Sequence, residues 1–166
     1  MMNDDRNADP VLSSLTGMLS RGLQPIAPSA QARTRWLEAL QGPERYALFG
    51  TELARCFDVA LSDAHAALRM IHDSDVWQPG QMNGASWFTT PALRDHGVVL
   101  SRLPARTFLA KHTHSMRELT LVLDGLLIED GMARRSPGDV IDMAVGTQHE
   151  LAVSEHDECL VVFSRR

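Results

Sequence analysis

Apolar positions change their spacing near residue 78 of the chain. Before this point they recur every three or four residues, which is the spacing of one face of an α-helix. After it they alternate with polar residues or form short runs bounded by glycine and proline, as in β-strands joined by turns. The pattern predicts a helical N-terminal region, residues 1–78, followed by a β-rich domain, residues 79–166.

Several helices are predicted in the N-terminal region. Residues 1–9 are acidic and polar and are expected to be disordered, and an amphipathic helix is predicted within residues 11–19. Ser29 is a good N-cap for a helix that runs to about Leu40, and Ser62 is a good N-cap for the last helix of the region. Between them lies a further apolar stripe at helical spacing, made of Tyr46, Phe49, Leu53 and Phe57.

Short strands are predicted throughout the second half. Apolar runs at residues 98–100 and 160–163 indicate buried strands, and residues 118–124 alternate leucine with other residues, as one strand would. Turn signals at residues 129–131 and 137–139 separate further strands. Many short strands at this spacing predict a mainly β fold, either a sandwich or a small barrel.

Composition narrows the classes of function. The formal net charge is -5, so a nucleic-acid partner is not expected. Residues 52–68 superficially resemble a helix-turn-helix, but the candidate recognition helix after Ser62 has few basic residues, so packing helices are preferred. Cys56 and Cys159 define no disulfide framework, and no apolar run is long enough to span a bilayer. A cytoplasmic protein with no membrane partner is expected.

Three histidines and one glutamate form a candidate metal site. His112 and His114 are two residues apart, so both imidazoles point to the same side if they lie on a strand. Glu118 lies on the face opposite the leucines of its strand, where a carboxylate is unstable without a compensating cation. His149 follows a turn and begins a new strand, which can bring it beside the histidine pair. A histidine pair alone is equally compatible with a structural or exposed role, but the four residues together favour a metal.

The donor set restricts the choice of metal. Three imidazoles and one carboxylate suit zinc, iron(II), manganese, nickel or copper, whereas calcium prefers oxygen ligands. The set leaves room for one or two open coordination positions, at which water, dioxygen or a small chelating ligand can bind.

The same residues resemble two motifs of the cupin superfamily. Residues 112–118, followed by Gly125, are similar to the first motif, and residues 138–149 are similar to the second. The sequence departs from the motifs at Arg106, near a position where the first has glycine, and at Ala144, where the second has proline. The resemblance covers about half of the chain and implies a double-stranded β-helix, a small β-barrel, preceded by a helical segment.

The cupin resemblance also implies a ligand set and a cofactor. The ligands would be His112, His114, Glu118 and His149. They would bind one divalent transition metal, with zinc expected first and iron, nickel or manganese as alternatives. Cupins that resemble this chain often pair, so a homodimer is expected.

A narrower resemblance is to the C-terminal cupin of ChrR-type anti-sigma factors. It rests on residues 23–28, 77–80 and 129–131. In that group an N-terminal zinc-binding helical domain binds a sigma factor, and the cupin domain senses stress. The zinc motif of that first domain uses histidine and a CxxC pair, and this sequence has no CxxC pair. Only the cupin ligands are therefore carried over, and the missing pair weighs against a sigma factor as partner.

Three functions are compatible with these observations. The preferred one is a sensing module, in which metal occupancy or a small-molecule ligand in the barrel alters how the helical region packs. The second is a metal-dependent enzyme, similar to cupin dioxygenases, that acts on a small chelating substrate. The third is a structural barrel stiffened by its metal. Because no acid, base or nucleophile set stands out beyond the ligands, sensing is favoured over catalysis.

Three further residues are candidates for roles near the site. Arg102 and Arg117 can bind an anionic ligand in the barrel, with surface salt bridges as the preferred alternative. Cys159 opens the last predicted strand, where burial in the core is preferred over a redox-sensitive thiol close to the metal.

Overall fold

The computed structural model describes residues 27, 29–42, 44–82 and 84–166. The chain divides into two compact units, residues 1–37 and 38–166. The predicted disorder of residues 1–9 and the helix predicted within residues 11–19 lie outside the described residues, and the predicted boundary after residue 78 stays a prediction. No helix among the described residues is both long and apolar enough to cross a membrane.

The helices lie mainly before the first strand. They are α1 (Ala30–Gln41), α2 (Gly50–Phe57), α3 (Leu61–Met70) and a short α4 (Pro91–Arg94), with 3₁₀ turns at Ala47–Phe49 and Ser74–Val76. The predicted cap at Ser29 is confirmed, because its Oγ accepts a hydrogen bond from the backbone N–H of Ala32 at 3.1 Å. The predicted cap at Ser62 is wrong. Helix α3 begins at Leu61, one residue before Ser62, and its N-cap is Ala60, which has an extended backbone and lies three residues after the end of α2.

Within the part of the chain that the structure describes, ten strands form two antiparallel sheets, so the predicted mainly β fold is confirmed. The strands are β1 (Gln78–Pro79), β2 (Ser86–Phe88), β3 (Val98–Leu103), β4 (Phe108–Thr113), β5 (Glu118–Asp124), β6 (Leu127–Glu129), β7 (Ala133–Arg135), β8 (Val140–Met143), β9 (Gln148–Val153) and β10 (Cys159–Arg165). Sheet A has the order β1-β2-β3-β10-β5-β8, and sheet B has the order β4-β9-β6-β7. The inner faces of the two sheets enclose the interior of the barrel.

Strand β5 is buried on both faces. Its leucines belong to a hydrophobic cluster on the outer face of sheet A that includes Leu53 and Phe57 of α2 and Leu68 of α3. The alternate residues Glu118 and Thr120 are also buried, on the opposite face. The predicted alternation is therefore confirmed, and β5 separates α2 and α3 from the barrel interior.

Two glycine-containing turns fix the register of the barrel strands. Asp130 and Gly131 both have positive φ, 49° and 69°, and lie in the three-residue loop between the paired residues Glu129 and Ala133. Gly125 ends β5 with φ 78°, and a Cβ atom at this position would lie 2.3 Å from the carbonyl oxygen of Glu158. Only glycine fits there, which explains the glycine that follows the first motif. Arg106, the departure from that motif, also has positive φ, 65°.

Candidate metal centre

The four predicted ligands come together from both sheets. His112 of β4 pairs directly with His149 of β9 in sheet B. His114 follows β4. Its backbone N–H donates to the carbonyl of Thr147, and its own carbonyl accepts from the N–H of Gly146. Glu118 begins β5 in sheet A. One donor atom from each of these four residues lies within 4.8 Å of the other three.

The three imidazoles surround a common point. Their ring centroids are 4.8, 5.0 and 4.8 Å apart, and the ring planes are inclined to one another by 58–71°. His114 and His149 are only 5% and 1% exposed. Burial lowers the pKa of His114, although Glu118 opposes this effect. The ring is therefore held in the neutral form that a metal requires.

The hydrogen bonds of two histidines leave their Nε2 atoms available. His112 contacts the carbonyl of Ala110 through Nδ1 at 3.0 Å, and His149 contacts Glu129 Oε1 through Nδ1 at 3.2 Å. Among the described residues, the buried Nε2 atoms of His114 and His149 have no hydrogen-bond partner. A buried polar atom without a partner is costly, and a divalent metal bound by these atoms removes that cost. The residues present therefore fit a metal ion.

Glu118 has a cationic partner within the protein. Arg165, the last residue of β10, donates from Nε to Glu118 Oε2 at 2.7 Å, and His114 Nδ1 lies 3.9 Å from the same oxygen. Arg165 therefore compensates the charge of this buried carboxylate even when no metal is bound. The case for a metal consequently rests on the unpartnered Nε2 atoms rather than on the charge of Glu118.

Glu129 is a buried carboxylate for which the sequence pattern predicts only a place in a turn. Its Oε2 accepts hydrogen bonds from Arg135 at 2.9 and 2.5 Å, while its Oε1 contacts His149. Burial raises the pKa of Glu129, but the hydrogen bonds from Arg135 and His149 outweigh this, so the pKa lies below its usual value. An ionised Glu129 keeps the proton of His149 on Nδ1 and leaves Nε2 as the metal-binding atom. The pairing could not be predicted from the sequence because Glu129 and His149 are 20 residues apart along the chain.

A cavity of about 570 Å³ adjoins the cluster. Its walls come from the inner faces of both sheets, and Glu118 and Arg165 are the two ionisable residues that line it. Glu118 therefore belongs both to the ligand cluster and to the cavity wall. A molecule in the cavity would lie beside Glu118, one of the four candidate ligands.

The other candidates lie away from this cavity. Arg117 forms an exposed salt bridge with Asp142, with distances of 2.8 and 2.6 Å. Arg102 donates to the carbonyl of Ile71 at 2.8 Å, and neither arginine lines the cavity. Cys159 is buried at the end of β10 opposite Arg165. Burial raises the pKa of its thiol to about 12, so it lacks the thiolate character of a redox sensor.

Comparisons with known proteins identify the fold. No family model matches the chain, and no curated protein matches its sequence. A chain from the crystal structure of Rhodobacter sphaeroides SigE in complex with the anti-sigma ChrR is 20% identical, with a TM-score of 0.51, over 95% of this chain and 77% of that chain.

Two enzymes of known structure are also similar. The polyketide cyclase RemF from Streptomyces resistomycificus is 15% identical, with a TM-score of 0.47, over 57% of this chain and 76% of that chain. An acetylacetone dioxygenase from Acinetobacter johnsonii is 11% identical, with a TM-score of 0.46, over 56% of this chain and 70% of that chain. The predicted cupin fold and its structural resemblance to ChrR are confirmed. At these identities the comparisons establish the fold and not the function.

Proposed function

We propose that the protein is a metal-dependent sensing module, in which the state of the barrel site is transmitted to the helices packed on sheet A. The observation that carries this proposal is at the end of β10. Arg165 pairs with Glu118 at the site, and the next residue, Arg166, donates to the carbonyl of Phe57, the last residue of α2. Two adjacent residues thus connect the site with a helix.

Strand β5 provides a second connection. Glu118 faces the barrel interior, whereas the next residue, Leu119, packs against the hydrophobic cluster that contains α2 and α3. Because cores are closely packed, a shift of Glu118 toward a metal displaces side chains on the other face of the strand. Both connections lie within the unit formed by residues 38–166.

The proposed cofactor is one divalent transition metal bound by His112, His114, Glu118 and His149, and zinc is the first candidate. When bound, the metal supplies a Lewis-acidic centre next to the cavity. Glu129 and the carbonyl of Ala110 orient His149 and His112 toward it through their Nδ1 atoms. Arg165 holds Glu118 in place from the cavity side.

Hydrogen exchange measured by mass spectrometry tests the transmission. Addition of zinc to the metal-free full-length protein is expected to slow exchange in residues 50–70 as well as in β4, β5 and β9. In Arg166→Ala, zinc affinity should be retained while the slowing in residues 50–70 is lost. If zinc protects only the barrel strands of the wild-type protein, the sensing proposal is wrong.

The proposed partner is a protein that reads the position of the helices. The anti-sigma ChrR in the structurally similar complex makes a sigma factor the first partner to test, and homodimer formation is a separate expectation. Size-exclusion chromatography with light scattering, with and without zinc, measures the oligomeric state. Capture of a sigma factor that depends on zinc and on Arg166 would support the regulatory assignment, whereas equal capture by a His149→Ala variant would contradict it.

A second candidate function is a metal-dependent enzyme that acts on a small chelating substrate. The cavity beside Glu118 favours it, because such a substrate would have access to an open position on the metal. The lining offers no acid or base apart from Glu118 and Arg165. Oxygen consumption by the iron-loaded protein with a small β-diketone or a catechol would establish this function, and its absence with several such compounds would leave sensing as the better assignment.

A further inference from the structure

The cavity next to the cluster is lined mainly by apolar side chains. Sheet A contributes Val161 and Phe163, and sheet B contributes Leu109, Leu127 and Leu151. A cavity of about 570 Å³ falls within the usual size range of small-molecule sites, about 300–1,000 Å³. Walls of this kind favour a ligand with a flexible apolar body, because burying its surface is favourable and leaves few polar groups unpaired.

One end of the cavity is charged. The Nε of Arg165 donates to Glu118, but no bond from its two terminal nitrogens is found among the described residues. The side chain of Arg165 is 59% exposed, whereas that of Glu118 is 8% exposed. The guanidinium therefore retains N–H donors that can form the two parallel hydrogen bonds typical of arginine and carboxylate.

The charge balance at this end also favours an anion. Glu118 and Arg165 together are neutral, and so are Glu129 and Arg135. A divalent metal on the cluster makes this end of the barrel net positive. A carboxylate entering there contacts the free donors of Arg165 and approaches the metal, while an ammonium group is repelled.

The cavity is open toward the hairpin between β1 and β2. Gln81 and Met82 both line the cavity and are exposed, so they lie at its mouth. Trp87 of β2 also contributes to the wall. This arrangement gives an apolar molecule a route from solvent to Arg165 that does not require the sheets to separate.

From these observations we infer that the barrel binds an amphipathic monocarboxylate, with its apolar chain between the two sheets and its carboxylate on Arg165. The inference rests on the proposed function in one respect, because this ligand would be what the metal-loaded barrel senses. Arg165 is then both the anion-binding residue of the cavity and the residue next to Arg166, which contacts α2. The ligand can thereby influence the helix directly.

Isothermal titration calorimetry of the zinc-loaded full-length protein tests the inference with octanoate, octanol and octylamine. Octanoate is expected to bind at least about tenfold more tightly than octanol, because only octanoate forms a charge-assisted hydrogen-bonded pair with Arg165. Octylamine should not bind measurably. Butyrate should bind at least about tenfold more weakly than octanoate, because it buries four fewer methylene groups. Equal affinity for octanoate and octanol would overturn the inference.

Two variants locate the binding site. Arg165→Gln should lose the preference for octanoate over octanol, while the matched control Arg117→Gln, which removes an exposed salt bridge outside the cavity, should retain it. Leu127→Phe fills part of the cavity and should weaken both ligands. Circular dichroism and thermal melting confirm that each variant is folded. Unchanged octanoate binding in folded Arg165→Gln, or in folded Leu127→Phe, contradicts the proposed location.

Octanoate titration and hydrogen exchange, measured on the same protein, together separate this inference from the sensing proposal. If octanoate binding depends on Arg165 but zinc causes no change in the hydrogen exchange of residues 50–70, the ligand class is supported and the sensing proposal is contradicted. Protection of residues 50–70 by zinc, with no octanoate binding, would support sensing and contradict the ligand class.

Discussion

The two ends of the strand pair β5 and β10 are built in opposite ways. At one end Glu118 pairs with Arg165, next to three histidines and an open cavity. At the other end Gly125 and Cys159 are closely packed against each other. The register separates Arg165 from Leu160 by five residues, which corresponds to roughly 17 Å at about 3.3 Å per residue. We call these regions the metal end and the closed end.

This difference shows how one barrel combines stability with a binding site. The closed end contains Cys159, whose buried thiol donates to the carbonyl of Asp124 at 3.2 Å, so a polar atom there has a partner. The metal end leaves two buried imidazole nitrogens without partners among the described residues. Such atoms reduce the stability of the folded protein unless a ligand binds to them. Metal binding at this end should therefore stabilise the folded protein. The following predictions test whether the two ends are independent.

The largest effect is expected from Gly125→Ala at the closed end. The added Cβ would contact the Glu158 carbonyl oxygen, and the positive φ is unfavourable for alanine, so a loss of about 2–5 kcal/mol in unfolding free energy is expected. The matched control is Gly131→Ala, which also has positive φ but no atom within 4 Å of the new Cβ. It should lose only about 1–2 kcal/mol. Urea unfolding measures both, and equal losses would show that the close packing is unimportant.

A large effect on metal binding is expected from His149→Ala at the metal end. Loss of a group that only orients a ligand costs about 10- to 100-fold in affinity, so loss of the ligand should cost more than about 100-fold. The exposed histidine His156 provides the control, and His156→Ala should bind zinc as the wild type does. Competition with a chromogenic chelator measures the affinity. Wild-type affinity in His149→Ala would refute the proposed ligand set.

A smaller effect is expected from Glu129→Gln, which keeps a hydrogen-bond acceptor for His149 but removes the negative charge. Zinc affinity should fall about tenfold, because the neutral amide orients and polarises the imidazole less strongly. Glu155→Gln, at an exposed turn, is the control and should have no effect. Glu129 contacts a candidate ligand at the metal end without lining the cavity, so this variant tests metal binding separately from ligand binding. No change in affinity would assign Glu129 a purely structural role.

The closed end should be sensitive to alkaline pH. Burial raises the pKa of Cys159 from 9.0 to about 12 in the folded protein. The unfolded state therefore loses this proton first, and the stability contributed by the thiol is complete below pH 9 and is lost as the pH rises toward 12. Unfolding free energy should fall by about 1.4 kcal/mol from this group between pH 8 and pH 10. In Cys159→Ala this part of the decrease should disappear in denaturant titrations at the two pH values.

The smallest effect is expected from Arg106→Gly. This residue adopts φ 65°, a conformation that costs a non-glycine residue about 1–2 kcal/mol, but glycine also gains entropy in the unfolded state. A net stabilisation of about 0.5 kcal/mol is expected, with no change in zinc affinity. Thermal melting and the chelator competition measure the two quantities. Destabilisation of Arg106→Gly would indicate that the arginine side chain contributes contacts that outweigh the backbone strain.

Much of the barrel could be predicted because its strands and turns are specified by residues that are close together in the sequence. The alternation in residues 118–124 correctly separated Glu118 from the leucines, since successive side chains of a strand point to opposite faces. The turn at residues 129–131 was predictable because adjacent positive φ values favour Asp and Gly. The predicted cap at Ser62 failed because only residues 58–60 separate α2 from α3, so Ser62 already lies inside the helix.

Local patterns predicted several of the strands, the cupin motifs and the four residues that cluster, because spacing within a strand decides which side chains share a face. The charges that meet across strands depend on the tertiary fold. Arg165 lies 47 residues along the chain from its partner Glu118. Glu129 lies 20 residues from its partner His149. Such pairs depend on the order in which the strands pair within each sheet, which no local pattern specifies. The same is true of the link from Arg166 to α2, on which the proposed function depends.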